Sequence, residues 1–285
     1  MNNKYLVVRI SALLVLLFSA SVYGQDRFAN VTIETVAVAG NISMLIGQGG
    51  NIGVSAGDDG ILIIDDQFAP LADRIKAALN ALGSDTPKFL LNTHFHGDHV
   101  GGNAEFGGDS VIVAHENVRI RMASGDAPSV ALPVVTYDDD VSIHFNGEMV
   151  TLIHMPQGHT DTDSVVYFED SDVIHMGDHF FNGAFPFVDL ANGGTVQGYI
   201  DNLEKVLSWI SDDTSVIPGH GPVLTKDEVR TFRDRMQTLQ DRMRVAIDGG
   251  ATRDNIVSRV ETTDLDWPFR PAALQAFYDE VIAAQ

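Results

Sequence analysis

The order of apolar runs predicts a chain that begins with short strands and then alternates strands with helices. Four short apolar runs between residues 31 and 65 are separated by glycine- and aspartate-rich turns, which is typical of a meander of antiparallel strands. From Pro70 to Leu82 apolar residues recur at helical spacing, and Gly83 ends that helix. The strand–helix–strand–helix order that continues to Met122 predicts a partly parallel sheet.

The second half of the chain again runs from strands to a helix and back to a strand, so a duplicated α/β unit is one interpretation. Asn146-Gly147 between two apolar runs predicts a hairpin turn. The predicted strands are 31–38, 42–47, 52–55, 61–65, 88–91, 111–114, 141–145, 148–154, 164–168, 172–176 and 214–217. The predicted helices are 70–82, 116–122, 195–210, 226–247, 255–260 and 271–284.

Three histidines and an aspartate follow the apolar run Phe89-Leu90-Leu91 within six positions. Side chains two residues apart on an extended segment point the same way, so His94 and His96 can bind one ion together. Gly97 allows the chain to turn, and Asp98 and His99 can then address a second ion. Imidazole and carboxylate groups are common zinc ligands, so this stretch predicts a metal site.

Three further strand ends carry residues of the same kind. The segments are Gly158-His159-Thr160, Gly177-Asp178-His179 and Pro218-Gly219-His220-Gly221. In each, an apolar strand is followed by glycine and then by histidine or aspartate, which predicts that the ligands meet at one edge of a sheet assembly. The chain has no cysteine, so its metal ligands are restricted to histidine, aspartate and glutamate.

Taken together, these motifs resemble the metal-binding motifs of the metallo-β-lactamase superfamily over roughly residues 42–222. The resemblance implies an α/β fold, an αββα sandwich of two mixed β-sheets flanked by helices, with two Zn²⁺ ions. Iron or manganese is an alternative, because nitrogen and oxygen ligands do not distinguish these metals. By position, the first metal is assigned to His94, His96 and His159, the second to Asp98, His99 and His220, and Asp178 bridges the two.

The resemblance also implies the chemistry. One metal polarises a carbonyl group, a metal-bound hydroxide attacks its carbon, and the second metal stabilises the leaving group. Asp98 is the predicted catalytic residue, orienting the nucleophile and passing a proton to the leaving group.

Position 178 separates branches of this family. The best-known β-lactamases have cysteine or a small residue there, whereas an aspartate looks more like glyoxalase II, lactonases and broad hydrolases. The residues after Asp178 offer His179 in place of the lysine that many lactamases use for the substrate carboxylate, and the aromatic stretch 180–187 is expected to form an apolar rim. Whether His179 or Asn182 contacts substrate is left open.

The N-terminus predicts export. Lys4 and Arg9 precede an apolar stretch, and small residues lead to a cleavage site after Gly24. We therefore expect a signal peptide at 1–24, a single domain at 25–285, and a periplasmic or secreted protein with no stable membrane insertion after cleavage. The net charge of −21 disfavours nucleic acid as a partner and leaves a small-molecule substrate.

Export places β-lactam ring opening first among the predicted activities. Lactone, ester or thioester hydrolysis is the alternative. An iron-dependent redox branch and a non-enzymatic metal-binding protein of the periplasm also stay open, and the sequence leaves the oligomeric state undetermined.

Several neighbouring residues are given supporting roles. Thr160, Asp163 and Ser164 are expected to orient His159 by hydrogen bonds, and Asn51 is a candidate for the wall of the cleft. His154 is a candidate partner of the site, and the other strand histidines are interpreted as structural, with His115 capping a helix.

Overall fold

The computed structural model describes residues 27–267 and 271–283. The chain divides into two compact units, Met1–Asn30 and Val31–Gln285, and every element below belongs to the second. The signal peptide predicted for residues 1–24 lies outside the described residues. Within the described ranges, no helix is both long enough and apolar enough to cross a membrane.

The first sheet has seven strands that lie side by side in chain order. They are β1 (Glu34–Ala39), β2 (Ile42–Ile46), β3 (Ile52–Gly57), β4 (Gly60–Ile64), β5 (Phe89–Leu91), β6 (Val111–His115) and β7 (Val135–Tyr137). The first four are antiparallel, and β4 to β7 are parallel. The helices between these strands are α1 (Ala72–Leu82), α2 (Gly97–Val100), α3 (Asn103–Phe106) and α4 (Glu116–Ser124).

The second sheet has six strands in the order β13-β12-β11-β10-β9-β8. They are β8 (Asp140–Phe145), β9 (Glu148–His154), β10 (Ser164–Phe168), β11 (Val173–His175), β12 (Ser215–Ile217) and β13 (Leu224–Thr225). Only the β11–β12 pair is parallel, and α5 (Val196–Trp209) lies between those two strands in the chain. Two long helices follow, α6 (Lys226–Asp248) and α7 (Pro271–Ala283).

Apolar side chains explain the layering. Leu62 and Ile64 of the first sheet share a buried cluster with Val150, Leu152 and Val166 of the second. A second cluster joins the other face of the six-stranded sheet to α5, α6 and α7. These layers confirm the predicted αββα sandwich of two mixed sheets with flanking helices.

The predicted elements are found with shifts of up to three residues at their ends, with five exceptions, two of which are the unpredicted short helices α2 and α3. Residues 255–260 form only a short 3₁₀ turn, Ile256–Ser258, before which the Asn255 side chain accepts a hydrogen bond from the Thr252 N–H. The short strands β7 and β13 were not predicted, since three and two residues carry too little pattern. The Asn146-Gly147 turn has positive φ at both residues, 52° and 84°, as expected for a tight hairpin.

Candidate metal centre

The strand-end segments predicted to carry metal ligands converge at one edge of the sandwich. His94 and His96 follow β5, His159 lies between β9 and β10, Asp178 follows β11 and His220 follows β12. The seven candidate side chains form two groups whose ligand atoms lie within 4.8 Å of one another in each group. The first group is His94, His96, His159 and Asp178, and the second is Asp98, His99 and His220.

In the first group, three imidazoles surround one oxygen of Asp178. Asp178 Oδ2 lies 3.7 Å from His94 Nε2 and 3.4 Å from His159 Nε2. His96 presents its Nδ1 atom to the group, 2.9 Å from His159 Nε2. The ring nitrogens therefore converge on one point, as the ligands of a single ion do.

The second group surrounds the other oxygen of the same carboxylate. Asp178 Oδ1 lies 3.1 Å from His99 Nε2 and 3.4 Å from His220 Nε2. Asp98 Oδ2 lies 3.4 Å from His220 Nε2 and 3.8 Å from His99 Nε2. Asp178 thus has one oxygen in each group, which is the arrangement of a bridging ligand.

The position of Asp178 depends on close backbone packing. Tyr199 donates its hydroxyl hydrogen to the carbonyl oxygen of Asp178 at 2.5 Å. A Cβ atom on Gly219 would lie 2.1 Å from Asp178 Oδ1, and one on Gly50 would lie 2.1 Å from the His99 ring. Glycine at 50 and 219 therefore leaves the room that the carboxylate and the imidazole occupy.

The polar atoms of the centre fit a cation. His94 Nε2, His99 Nε2 and Asp178 Oδ1 are buried and have no conventional hydrogen-bond partner in the described structure. Buried polar groups without partners are costly, and a coordinated ion would satisfy all three. The cluster of histidine and aspartate side chains therefore implies a divalent metal.

The pKa shifts of the histidines also fit a bound cation. Burial lowers the pKa of His94 well below its usual range and that of His159 to about 4, so both are neutral donors. Burial also disfavours charge on His220, yet its contacts with the carboxylates of Asp178 and Asp98 raise its pKa to about 9. Burial likewise opposes charge on His99, but Asp178 and Asp65 raise the pKa of His99 well above its usual range. The carboxylates of Asp65, Asp98 and Asp178 thus stabilise positive charge at the place where an ion would be bound.

Asp65, which follows β4, was missed by the sequence analysis. Its Oδ2 lies 2.7 Å from His99 Nδ1 and also accepts a hydrogen bond from the Thr93 hydroxyl at 2.7 Å. The Thr93 hydroxyl in turn lies 3.0 Å from His94 Nδ1. One buried carboxylate therefore orients a histidine of each group. Its position directly after a buried strand, like that of the ligands themselves, is the signal that could have found it.

The loop between His179 and α5 orients the other two histidines of the first group. The carbonyl oxygen of Phe187 lies 2.7 Å from His159 Nδ1, and Asp189 Oδ2 lies 3.0 Å from His96 Nε2. Phe185 of this loop packs against Trp267 and against Phe277 of α7. We find no sequence signal for these contacts.

Asn51 holds the His220 segment and does not use its side-chain amide in the cleft. Its Nδ2 donates to the carbonyl oxygens of Pro218 at 2.9 Å and Gly221 at 2.8 Å. The Phe181 ring stacks on the His220 imidazole with ring centroids 5.4 Å apart. Both contacts fix the orientation of His220.

Thr160, Asp163 and Ser164 were expected to orient His159, but in the described structure none of their side chains hydrogen-bonds its ring, whose Nδ1 lies 2.7 Å from the Phe187 carbonyl oxygen. Asp163 accepts hydrogen bonds from the Thr160 backbone N–H at 2.7 Å and from its hydroxyl at 2.5 Å. The Ser164 backbone N–H donates to the Thr93 carbonyl at 2.7 Å, which joins the His159 segment to the His94 segment.

Two other histidines form a stacked pair. The His115 and His154 rings have centroids 3.6 Å apart, and His115 caps α4 by accepting from the Asn117 N–H. His154 hydrogen-bonds the Asp163 carbonyl, so its link to the centre is indirect.

The residues left open as substrate contacts are placed differently. His179 is buried, its Nε2 lies 3.0 Å from Asn202 Nδ2, and burial lowers its pKa to about 3. It is a neutral packing residue and not a cation of the cleft. Asn182 is half-buried, and its backbone N–H donates to the His220 carbonyl at 3.0 Å. Of the aromatic stretch, Phe180 and Phe181 are buried, Phe185 is half-buried and Phe187 is 54% exposed, so Phe187 is the ring most open to form a rim.

Two sheets sandwiched between helices, with histidine and aspartate ligands gathered at one edge, define the class of αββα metallo-hydrolases. The chain belongs to the metallo-beta-lactamase superfamily, whose family model matches residues 46–225. The model ends at β13, so α6 and α7 lie beyond it.

Curated relatives include proteins that are named as hydrolases. A probable metallo-hydrolase, YqgX, from Bacillus subtilis is 28% identical over 52% of this chain and 76% of its own length. The beta-lactamase-like protein 2 homolog of Caenorhabditis elegans is 25% identical over 75% of this chain and 70% of its own. A hydroxyacylglutathione hydrolase of Prochlorococcus marinus is 27% identical over 47% of this chain and 50% of its own, so the match spans half of that enzyme.

Solved structures show the same fold. A metallo-beta-lactamase from Pontibacter korlensis superposes with a TM-score of 0.61 over 72% of this chain and 99% of its own, at 17% identity. The sec-alkylsulfatase Pisa1 from Pseudomonas sp. superposes with a TM-score of 0.69 over 87% of this chain and 50% of its own, at 16% identity. At these identities the likeness concerns the fold.

Proposed function

We propose that this protein hydrolyses an ester, lactone or thioester bond with the help of two divalent metal ions. The observation that carries the proposal is Asp178, whose Oδ2 faces the three histidines of the first group and whose Oδ1 faces the second group. A bridging aspartate favours the hydrolase branch, because an aspartate at position 178 looks more like glyoxalase II, lactonases and broad hydrolases than like the best-known β-lactamases. The relatives named hydroxyacylglutathione hydrolase support a carbonyl substrate.

Zinc is the proposed metal, with iron or manganese as alternatives, because six side chains besides Asp178 offer imidazole nitrogen or carboxylate oxygen. Two such ions would supply Lewis-acid activation of the carbonyl group and of a water molecule. The first would be held by His94, His96 and His159, and the second by Asp98, His99 and His220, with Asp178 between them.

Asp98 is the proposed catalytic residue. Its side chain is 30% exposed, whereas Asp178 is 6% exposed, so Asp98 is the carboxylate that substrate and water can reach. Burial would raise the pKa of Asp98, but the hydrogen bond with His220 and the charges of His99 and His220 together lower it. The ionised carboxylate can accept the proton of the attacking water and return it to the leaving group.

β-Lactam ring opening is the second candidate. The predicted signal peptide favours it, because β-lactams act outside the inner membrane. The paired state of Arg121 weighs against it, since this cation at the edge of the centre already binds the carboxylate of Asp161 at 2.6 Å. A neutral ester or lactone has no carboxylate, so its binding does not require such a cation.

We also propose that the protein is exported and acts on a small molecule outside the cytoplasm. N-terminal sequencing of the protein from a fractionated host is the check, with Gln25 as the expected first residue. A protein that keeps Met1 and stays in the cytoplasm would contradict export without affecting the proposed chemistry.

The activity test compares zinc-loaded protein on an aryl ester, a lactone, a thioester and a chromogenic cephalosporin. Asp98→Ala is expected to lower kcat by about 10²–10⁴-fold, because both a ligand and the proton acceptor are lost. Asp213→Ala, which removes an exposed carboxylate after α5, serves as the matched control. Turnover of the cephalosporin alone would select the second candidate, and full turnover by Asp98→Ala would remove Asp98 from the mechanism.

A further inference from the structure

One face of α7 lies against segment 185–196, the part of the chain that leads from the metal centre into α5. Four residues of α7 recur at three- and four-residue spacing, which places them on one side of the helix. They are Ala273, Ala276, Phe277 and Glu280, and with residues 186–188 they line a small cavity of about 40 Å³. No residue of α7 belongs to either ligand group, so its connection to the metal centre passes through this segment.

The helix holds the segment at both of its ends. At the first end, the Phe185 ring meets the Phe277 ring edge-on, with ring centroids 6.2 Å apart. At the other end, the Glu280 carboxyl group accepts a hydrogen bond from the backbone N–H of Val196, the first residue of α5. Phe277 and Glu280 are both buried, so water cannot replace either contact at little cost.

The contacts that orient two ligands of the first group lie between these two ends. The Phe187 carbonyl oxygen lies 2.7 Å from His159 Nδ1, and the Asp189 backbone N–H donates to the His159 carbonyl oxygen at 2.8 Å. Asp189 Oδ2 lies 3.0 Å from His96 Nε2. The orientation of His96 and His159 therefore depends on a segment that α7 fixes at both ends.

The second ligand group is supported by other parts of the chain. Asp65 Oδ2, after β4, lies 2.7 Å from His99 Nδ1. The Asn51 side chain donates to the backbone on either side of His220. Phe181 also stacks on the His220 ring, but it precedes the part of the chain that α7 contacts. The two groups thus differ in whether their supports lead to α7.

We propose that α7 is a positioning element for the first metal ion and not for the second. Phe277 and Glu280 hold segment 185–196 in the place where His96 and His159 are oriented for that ion. The proposal rests on the two ligand groups of the proposed function and not on the bond that is hydrolysed. It gives a helix beyond the segment matched by the family model a part in metal binding.

The test measures the zinc affinity of one ligand group at a time, by competition with a chelating dye. His220→Ala removes a ligand of the second group and leaves the first group complete, and His159→Ala does the reverse. In the His220→Ala background, Phe277→Leu is expected to weaken zinc binding about tenfold, the size of loss typical when an outer support of a ligand is removed. In the His159→Ala background it is expected to change the affinity less than twofold.

Two further variants are the matched controls. Val281→Ala also removes buried apolar surface from α7, but Val281 does not line the cavity, so both affinities should stay within twofold. Asn51→Ala should weaken zinc binding in the His159→Ala background and leave the His220→Ala background within twofold, because Asn51 supports the His220 segment. An effect of Phe277→Leu of equal size in both backgrounds, or in neither, would overturn the proposal, and so would an equal effect of Val281→Ala.

Hydrogen exchange of the metal-free protein tests the same coupling without an ion. Phe277→Leu is expected to speed exchange of the backbone amides in residues 185–196 at least fivefold and to leave residues 214–222, which carry His220, within twofold of the parent. Unchanged exchange in residues 185–196 would refute the role of α7. Zinc binding that depends on Phe277 as predicted, in a protein that turns over no ester, lactone or thioester, would contradict the proposed function alone.

Discussion

At Gly219, one added methyl group is expected to weaken metal binding by displacing the carboxylate of Asp178. The Cβ of Gly219→Ala would lie 2.1 Å from Asp178 Oδ1 and 2.6 Å from the Gly177 carbonyl oxygen, so the bridging carboxylate has to move. We expect about 10–100-fold weaker zinc affinity, measured by competition with a chelating dye. Gly108→Ala is the control, because its Cβ meets nothing within 4 Å. Unchanged affinity in Gly219→Ala would mean that Asp178 does not bridge.

At this scale the sequence predicted which side chains meet but not what orients them. His94, His96 and Asp178 belong to motifs at the ends of apolar strands, and such ends share one edge of a sheet. Asp65 and Asp189 contact their histidines across 34 and 93 positions of the chain. Asp65 shares with the ligands its place directly after a buried strand, whereas no pattern distinguishes Asp189, a loop residue in a chain with 39 acidic residues.

At the scale of elements, Glu280 of α7 makes the contact between α7 and α5 depend on pH. Its carboxyl group accepts a hydrogen bond from the Val196 N–H at the start of α5, and burial raises its pKa to about 8. A glutamate in the unfolded chain has a pKa of about 4.3. Between these values the folded protein holds a proton that the unfolded chain lacks, so the parent loses stability as pH rises from about 4 to 8.

Glu280→Gln keeps an acceptor for the Val196 N–H and removes the titration. Its Tm is expected to exceed that of the parent by an amount that grows between pH 5 and pH 8 and then levels off. The difference at pH 8 corresponds to roughly 2–4 kcal/mol in the free energy of unfolding. Glu105→Gln, an exposed glutamate of α3, is the control and should show no such trend. A pH-independent Tm difference in Glu280→Gln would contradict the assignment.

Elements were predictable where apolar periodicity was long. The Asn146-Gly147 pair predicted its hairpin, whose turn has two positive φ values, and the long pattern of residues 226–247 predicted α6, which begins with a capping box at Thr225. β7 and β13 exist because a neighbouring strand offers hydrogen bonds, as β6 does for β7 and β12 does for β13. Pairing between distant segments is a tertiary effect that a three-residue pattern does not reveal.

For the whole molecule, metal binding should contribute to stability. Folding brings together the four side chains of the first group and the three of the second. An ion that binds only the folded state therefore stabilises that state. At a free zinc concentration of about 100 times Kd, each site adds ~2.7 kcal/mol, and each kcal/mol raises Tm by roughly 2–4 °C in a domain of this size.

The corresponding experiment is a thermal melt of protein stripped with a chelator and then titrated with zinc. A rise of several degrees is expected in the parent and a smaller one in Asp178→Ala, which lacks the shared ligand. Magnesium prefers oxygen ligands and serves as the control ion. A zinc-independent Tm in the parent would argue against a metal centre that is formed by folding.

The loop from Phe180 to Thr195 has a consequence for how members of this superfamily are compared. It places Phe187 and Asp189 against two histidines, yet it is itself packed on Trp267 and Phe277, which lie beyond the segment that the family model matches. Two chains with the same seven ligands can therefore differ, through their C-terminal helices, in how His96 and His159 are held. A comparison of ligand motifs alone would class such chains as equivalent. Exchanging their last sixty or so residues would test whether this part of the chain determines how the two histidines are held.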